Sequence, residues 1–144
     1  MTTIRAARNY DAAAIATLAG QLGYAATRTE IAKRLAGIEA EPASRVLVAE
    51  NGEGTVVGWL HVAARTQLPE DACAEILGLV VDEVARSGGV GASLVAAAES
   101  WARSAGCVTI RVRSRETRER AHRFYERAGY VRNKVQLVLH KTLS

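Results

Sequence analysis

The chain has 144 residues, of which 49% are hydrophobic and 24% charged, with a formal net charge of +4. This is the length and composition of a single globular domain, 1–144, and not of a disordered tail or a disulfide scaffold. Two cysteines, Cys73 and Cys107, stand at no metal-ligand spacing, so no metal is expected. No apolar run approaches the roughly 20 residues that span a bilayer. The opening Met1-Thr2-Thr3-Ile4-Arg5 lacks the apolar core of a signal peptide, and the expected location is the cytoplasm.

Thr2 to Ala7 reads as a first strand at a sheet edge. Asp11 is placed to cap a helix running to about Leu22, with Ala14, Ile15, Leu18 and Leu22 on its inner stripe. Thr27-x-x-Glu30 is a capping box, which predicts a second helix to about Ala40 that buries Ile31, Leu35 and Ile38. Arg45 to Glu50 and Thr55 to Arg65 read as the two strands of a hairpin turning at Asn51-Gly52, followed by a loop from Gln67 to Asp71.

Glu75 to Asp82 is apolar at both parities, as a strand buried on both faces is, and Gly78 inside it suggests a bulge. A glycine-rich turn follows, Arg86-Ser87-Gly88-Gly89-Val90-Gly91. It feeds a helix with Val90, Leu94, Ala97, Ala98, Trp101 and Ala105 on one stripe, stopped by Gly106. Such a turn gathers backbone N–H groups at the positive end of a helix dipole and suits a phosphate. Cys107 to Ser114 reads as a strand. Thr117 can cap a helix holding Ala121, Phe124, Tyr125 and Ala128, which Gly129 stops. Tyr130 and Val131 begin a further strand, and Val135 to Lys141 alternates as a last one. Strand and helix order together predict an α/β sandwich with a mixed, mostly antiparallel central sheet flanked by helices.

The glycine turn satisfies neither the dinucleotide pattern, since Leu94 stands where its third glycine belongs, nor the Walker pattern. It does satisfy R-x-x-G-x-G through Arg86, Gly89 and Gly91, and Ala121-x-x-Phe124-Tyr125-x-x-x-Gly129-Tyr130 follows roughly 30 residues on. The pair resembles motifs A and B of the GCN5-related N-acetyltransferases, the GNAT family, and the resemblance covers nearly the whole chain. It implies that acetyl-CoA is the co-substrate. Its pyrophosphate would lie on Arg86, Ser87, Gly88, Gly89, Val90, Gly91 and Ala92, and its pantetheine arm against the backbone of Leu79, Val80 and Val81. Arg118 stands near the cofactor's phosphates in this reading. Ser87, Glu83 and the arginines Arg115 and Arg118 depart from common family residues, which leaves the side-chain contacts to the adenosine end open.

Acetyl transfer to an amine requires loss of a proton from the amine and protonation of the departing thiolate. The resemblance puts Tyr125 beside the cofactor sulfur as the acid. Taken without the motifs, Tyr125 is a core aromatic on an amphipathic stripe. Glu75, at the start of its strand and four residues before Leu79, is the candidate base, a position that resembles that of the catalytic glutamate in histone-acetylating members of the family. In a strand it shares a face with Leu77, Leu79 and Val81; the competing readings are a carboxylate at a strand end facing water and an amine deprotonated through ordered water. A backbone N–H near Gly78 is the candidate for polarising the thioester carbonyl. Glu70 and Asp71 could meet a cationic acceptor. His61, His122 and His140 form no metal spacing and read as surface or structural residues, and Trp59 and Trp101 as core.

These residues lead to an acetyl-CoA-dependent N-acetyltransferase acting by direct transfer on an amine of a small molecule or peptide. The alternative is a non-catalytic acyl-CoA-binding sensor. The arginine-rich C-terminal third, Arg111 to Arg132, reads as a solvated face; without interleaved aromatic residues it makes a poor nucleic-acid surface. The resemblance also implies a homodimer paired through the C-terminal strands.

Overall fold

A computed structural model describes residues 1–144 with the exception of Ser87. The chain divides into two compact units, Met1–Val112 and Arg113–Ser144.

The first unit is a five-stranded sheet in the order β1 (Thr3–Ala6), β2 (Ser44–Glu50), β3 (Val56–Gln67), β4 (Glu70–Val81) and β5 (Thr109–Val112). The first three pairings are antiparallel and β4–β5 is parallel. Helices α1 (Ala12–Gln21), α2 (Arg28–Glu39) and α3 (Val90–Ser104) flank it. The mixed, mostly antiparallel sheet between helices is the expected architecture.

Residue alternation along β3 sets the two layers. Trp59 turns toward the α1/α2 face, where it joins Ala7, Ile15, Leu35, Val46 and Val48. Gly58 turns to the other face, where a side-chain carbon would come within 3.0 Å of the Val80 carbonyl oxygen and 3.2 Å of Leu94. Glycine there lets α3 approach the sheet closely. Leu60, Val62, Leu94 and Val95 are among the largest fully buried side chains.

The box at Thr27 forms as the spacing predicts: Glu30 N–H donates to Thr27 Oγ1 at 3.1 Å, and Thr27 N–H donates to Glu30 Oε1 at 2.9 Å. Asp11 behaves differently. It precedes α1 but makes no side-chain cap. Its carboxylate, 3% exposed, instead accepts two hydrogen bonds from Arg5 at 2.8 and 2.9 Å and one from the Arg8 N–H at 2.7 Å. A bidentate guanidinium outcompetes a helix N–H for a carboxylate taken out of water.

The second unit holds α4 (Glu119–Arg127), which ends where Gly129 takes a left-handed φ of 95°. Arg118 is its N-cap residue and no side chain caps the helix, so Thr117 does not act as one. The two C-terminal strands expected after Gly129 are not formed: residues 131–144 carry no strand, and Leu137, Val138 and Leu139 are 86–89% exposed. The alternating pattern is present, but a strand also needs a ladder partner, and no strand pairs with this segment among the described residues.

Candidate active site

The candidate site is built along β4, the fourth of the five strands, which begins at Glu70 and not at Glu75. The segment expected as a loop is a tight turn at Leu68-Pro69 between two long strands. Glu75 is therefore mid-strand and 6% exposed, not a strand end facing water. Its Oε1 accepts from Arg111 Nε at 3.2 Å, and Arg111 Nη1 also reaches Glu70 Oε1 at 3.1 Å. Glu70, one of the two carboxylates considered for a cationic acceptor, is thus engaged by Arg111, while Asp71 is exposed.

The register of β3 against β4 slips beside Gly78. His61 pairs with Gly78 and Val62 with Ile76, so Leu77 is an extra residue in β4. This bulge resets the alternation. Glu75 pairs with Ala63, on the α1/α2 face with Trp59 and His61, and shares that face with Gly78 and Val80. The expected shared face of Glu75, Leu77, Leu79 and Val81 is not formed, because the extra residue at Leu77 turns Leu79 and Val81 to the opposite face from Glu75. At the same point β4 parts from β5, whose last pairing is Ile76 with Val112. Beyond it, Leu77 to Val81 keep β3 on one edge, and no strand pairs with the other edge among the described residues.

That edge runs straight into the glycine turn. Arg86 folds back, its Nε donating to the Val81 carbonyl at 3.3 Å. Gly89, at φ 77°, takes the left-handed conformation that opens α3. The first bond of α3 is Ser93 N–H to the Gly89 carbonyl at 3.1 Å, so the N–H groups of Val90, Gly91 and Ala92 belong to the uncapped first turn. Gly89 offers them no side chain, and a carbon added at Gly88 or Gly89 would meet no atom within 4 Å. Open space over uncapped N–H groups at a helix N-terminus fits an anionic group. Ser87 lies outside the described residues.

On the α1/α2 face, a cavity of about 550 Å³ opens between α1, α2, β2 and β3. Ile15, Tyr24, Ile31, Leu35, Trp59 and His61 line it, with Arg34 as its charged residue. The Trp59 ring lies over Gly78, where a side-chain carbon would come within 2.9 Å of it. Trp59 Nε1 and His61 Nε2 are both buried without a hydrogen-bond partner. Burial, and then the charge of Arg65, holds the His61 imidazole below its ordinary pKa. Sequence reasoning assigned Trp59 to the core and His61 to the surface or a structural role. Their spacing of two along a hairpin strand was the available signal that they share a face.

In the second unit, Tyr125 packs edge-on against Phe124 and Tyr130, with ring centroids 5.0 and 5.5 Å away. Burial pushes its phenol up to about 12, against a smaller opposing effect of Arg118. His122 Nε2 is hydrogen-bonded to the Arg115 carbonyl at 2.9 Å, a structural contact. No group of three or more His, Cys, Asp or Glu could hold a metal among the described residues, and no helix is long and apolar enough to cross a membrane.

The sheet is mixed, its β4 parts from β5 beside a bulge, and the chain then enters an uncapped helix start that fits an anionic group. Residues 12–130 match the acetyltransferase (GNAT) family, and the chain belongs to it. It is 39% identical over 83 residues to an aminoglycoside N(6')-acetyltransferase type 1 of Klebsiella aerogenes, a match spanning 56% of this chain and 54% of that protein. That stretch is about half the length of the curated relative. Among solved structures, a Bacillus halodurans C-125 protein described as a transcriptional regulator superposes with a TM-score of 0.86 at 26% identity, covering 98% of this chain and all of that one. An aminoglycoside antibiotic 6'-N-acetyltransferase of Acinetobacter baumannii reaches 0.86 at 15% identity over the full length of both chains, a likeness of fold.

Proposed function

We propose that the chain is a single-domain, acetyl-CoA-dependent N-acetyltransferase that moves the acetyl group directly to an amine of a small molecule or peptide. The observation that carries this reading is the parting of β4 from β5 after Ile76, because it leaves an open backbone edge leading to the uncapped start of α3. Acetyl-CoA supplies the activated thioester. Leu79, Val80 and Val81 would align its pantetheine arm by backbone hydrogen bonds. Gly88, Gly89, Val90, Gly91 and Ala92, with Arg86, Ser87 and Arg118, would hold its phosphates. Tyr125 would donate a proton to the departing thiolate. Glu75, kept beside the Arg111 guanidinium, would take the proton of the amine. In this reading the enzyme is cytoplasmic, uses no metal and works as a homodimer.

The likeness to a protein described as a transcriptional regulator favours a second reading, a non-catalytic acyl-CoA sensor. Release of free thiol from acetyl-CoA, measured against a broad panel of primary amines, separates the two. Amine-dependent release is the expected result. Saturable binding of acetyl-CoA with no release for any amine would favour the sensor.

A further inference from the structure

The cavity on the α1/α2 face has a chemistry that narrows the acceptor. Its floor is formed by Trp59 and His61, the β3 residues that pair with Val80 and Gly78 beside the bulge. An amine seated there would therefore approach β4 at the point where the strand edge opens. The walls are aliphatic or aromatic: Ile15, Tyr24, Ile31 and Leu35. No carboxylate lines the cavity among the described residues, and Arg34, with 62% of its side chain exposed, brings positive charge to it. Glu30 lies 3.9 Å from Arg34 but is not part of the lining.

These observations decide between two kinds of amine. The reacting ammonium has Glu75 on the same sheet face to take its proton, but a second cationic group brought into this space leaves water with no carboxylate in the lining to pair with it. Arg34 adds repulsion. An amine on an apolar body gains from burial against the same walls. The unpartnered Trp59 Nε1 and His61 Nε2 leave the floor able to satisfy one small polar group, not several.

We propose that this cavity is the acceptor site and that it selects a primary amine on an aromatic or aliphatic body with no second cationic group. The inference rests on the acetyltransferase reading. It sets this chain apart from the aminoglycoside enzyme that part of its sequence resembles, whose named substrates are polycations.

Hexylamine and hexamethylenediamine differ only in a second ammonium group, so the ratio of their kcat/KM values reads the selection directly. Hexylamine should be preferred by at least about tenfold, and more strongly still over a deoxystreptamine aminoglycoside. Arg34→Glu should reduce that preference by about tenfold. Equal or better use of the diamine or the aminoglycoside by the wild-type protein would overturn the proposal, as would an unchanged ratio in Arg34→Glu. Absence of thiol release with every amine would instead overturn the acetyltransferase reading, and with it the assignment of the cavity.

Discussion

Burial pushes the Tyr125 phenol up to about 12, so the hydroxyl keeps its proton throughout the working range. In the proposed mechanism Tyr125→Phe removes only that donor and retains the ring packing against Phe124 and Tyr130. The value of kcat should fall about 100-fold with little change in acetyl-CoA affinity, and by the same factor from pH 6 to 9, because no ionisation of the phenol intervenes. Full activity of the variant at every pH would return Tyr125 to a packing residue. Asp11 makes a different residue-scale prediction. Burial raises its pKa, but the hydrogen bonds from Arg5 and the Arg8 N–H outweigh burial and hold the carboxyl below its ordinary value. A depressed folded pKa means stability that is present above the unfolded value of about 4 and is lost as pH falls through the folded one. Asp11→Asn, which leaves Arg5 without this counter-charge, should cost ~3 kcal/mol at neutral pH in denaturant unfolding. It should also flatten the fall in stability below about pH 4; an unchanged acid limb would contradict this account.

At the scale of elements, the glycine turn and α3 carry the cofactor argument. Gly89 sits at φ 77°, a conformation asparagine tolerates better than other side chains. Gly89→Asn should therefore keep its melting temperature while its side chain fills the open space over the α3 N–H groups. Its acetyl-CoA dissociation constant should rise about tenfold by calorimetry; normal affinity would place the phosphate cradle elsewhere. Much of this unit could be read from the sequence, because the informative signals are local: the capping box at Thr27, the Asn51-Gly52 turn, and the glycine that opens α3. What could not be read depends on distant pairing. Glycine at 78 hinted at a bulge, but only the slip between His61 and Val62 against β4 shows that Glu75 shares a face with Gly78 and not with Leu79. Arg5 lies six residues before Asp11 in a strand, so a rule about helix caps could not anticipate their ion pair. The cavity is assembled from four elements, and no spacing along the chain announces it.

For the whole molecule, the unpaired stretch after Gly129 is the least expected feature. Its alternation of Val135, Leu137 and Leu139 encodes a strand with an apolar face, yet these side chains are 73–89% exposed. A second copy would supply both the ladder and the cover that one chain lacks, in keeping with the proposed homodimer. Light scattering should give the mass of two chains, and Leu137→Asp with Leu139→Asp should shift it toward one; a single-chain mass for the wild type at high concentration would remove the dimer. The account as a whole rests on transfer of an acetyl group from acetyl-CoA to an amine, and following the label is its most direct test. The protein would be given acetyl-CoA carrying ¹³C in its acetyl group together with hexylamine, and amide and free thiol measured in the same reaction. The prediction is labelled N-hexylacetamide formed in equal amount to the thiol released. Thiol without amide, or neither product in the presence of bound acetyl-CoA, would contradict it.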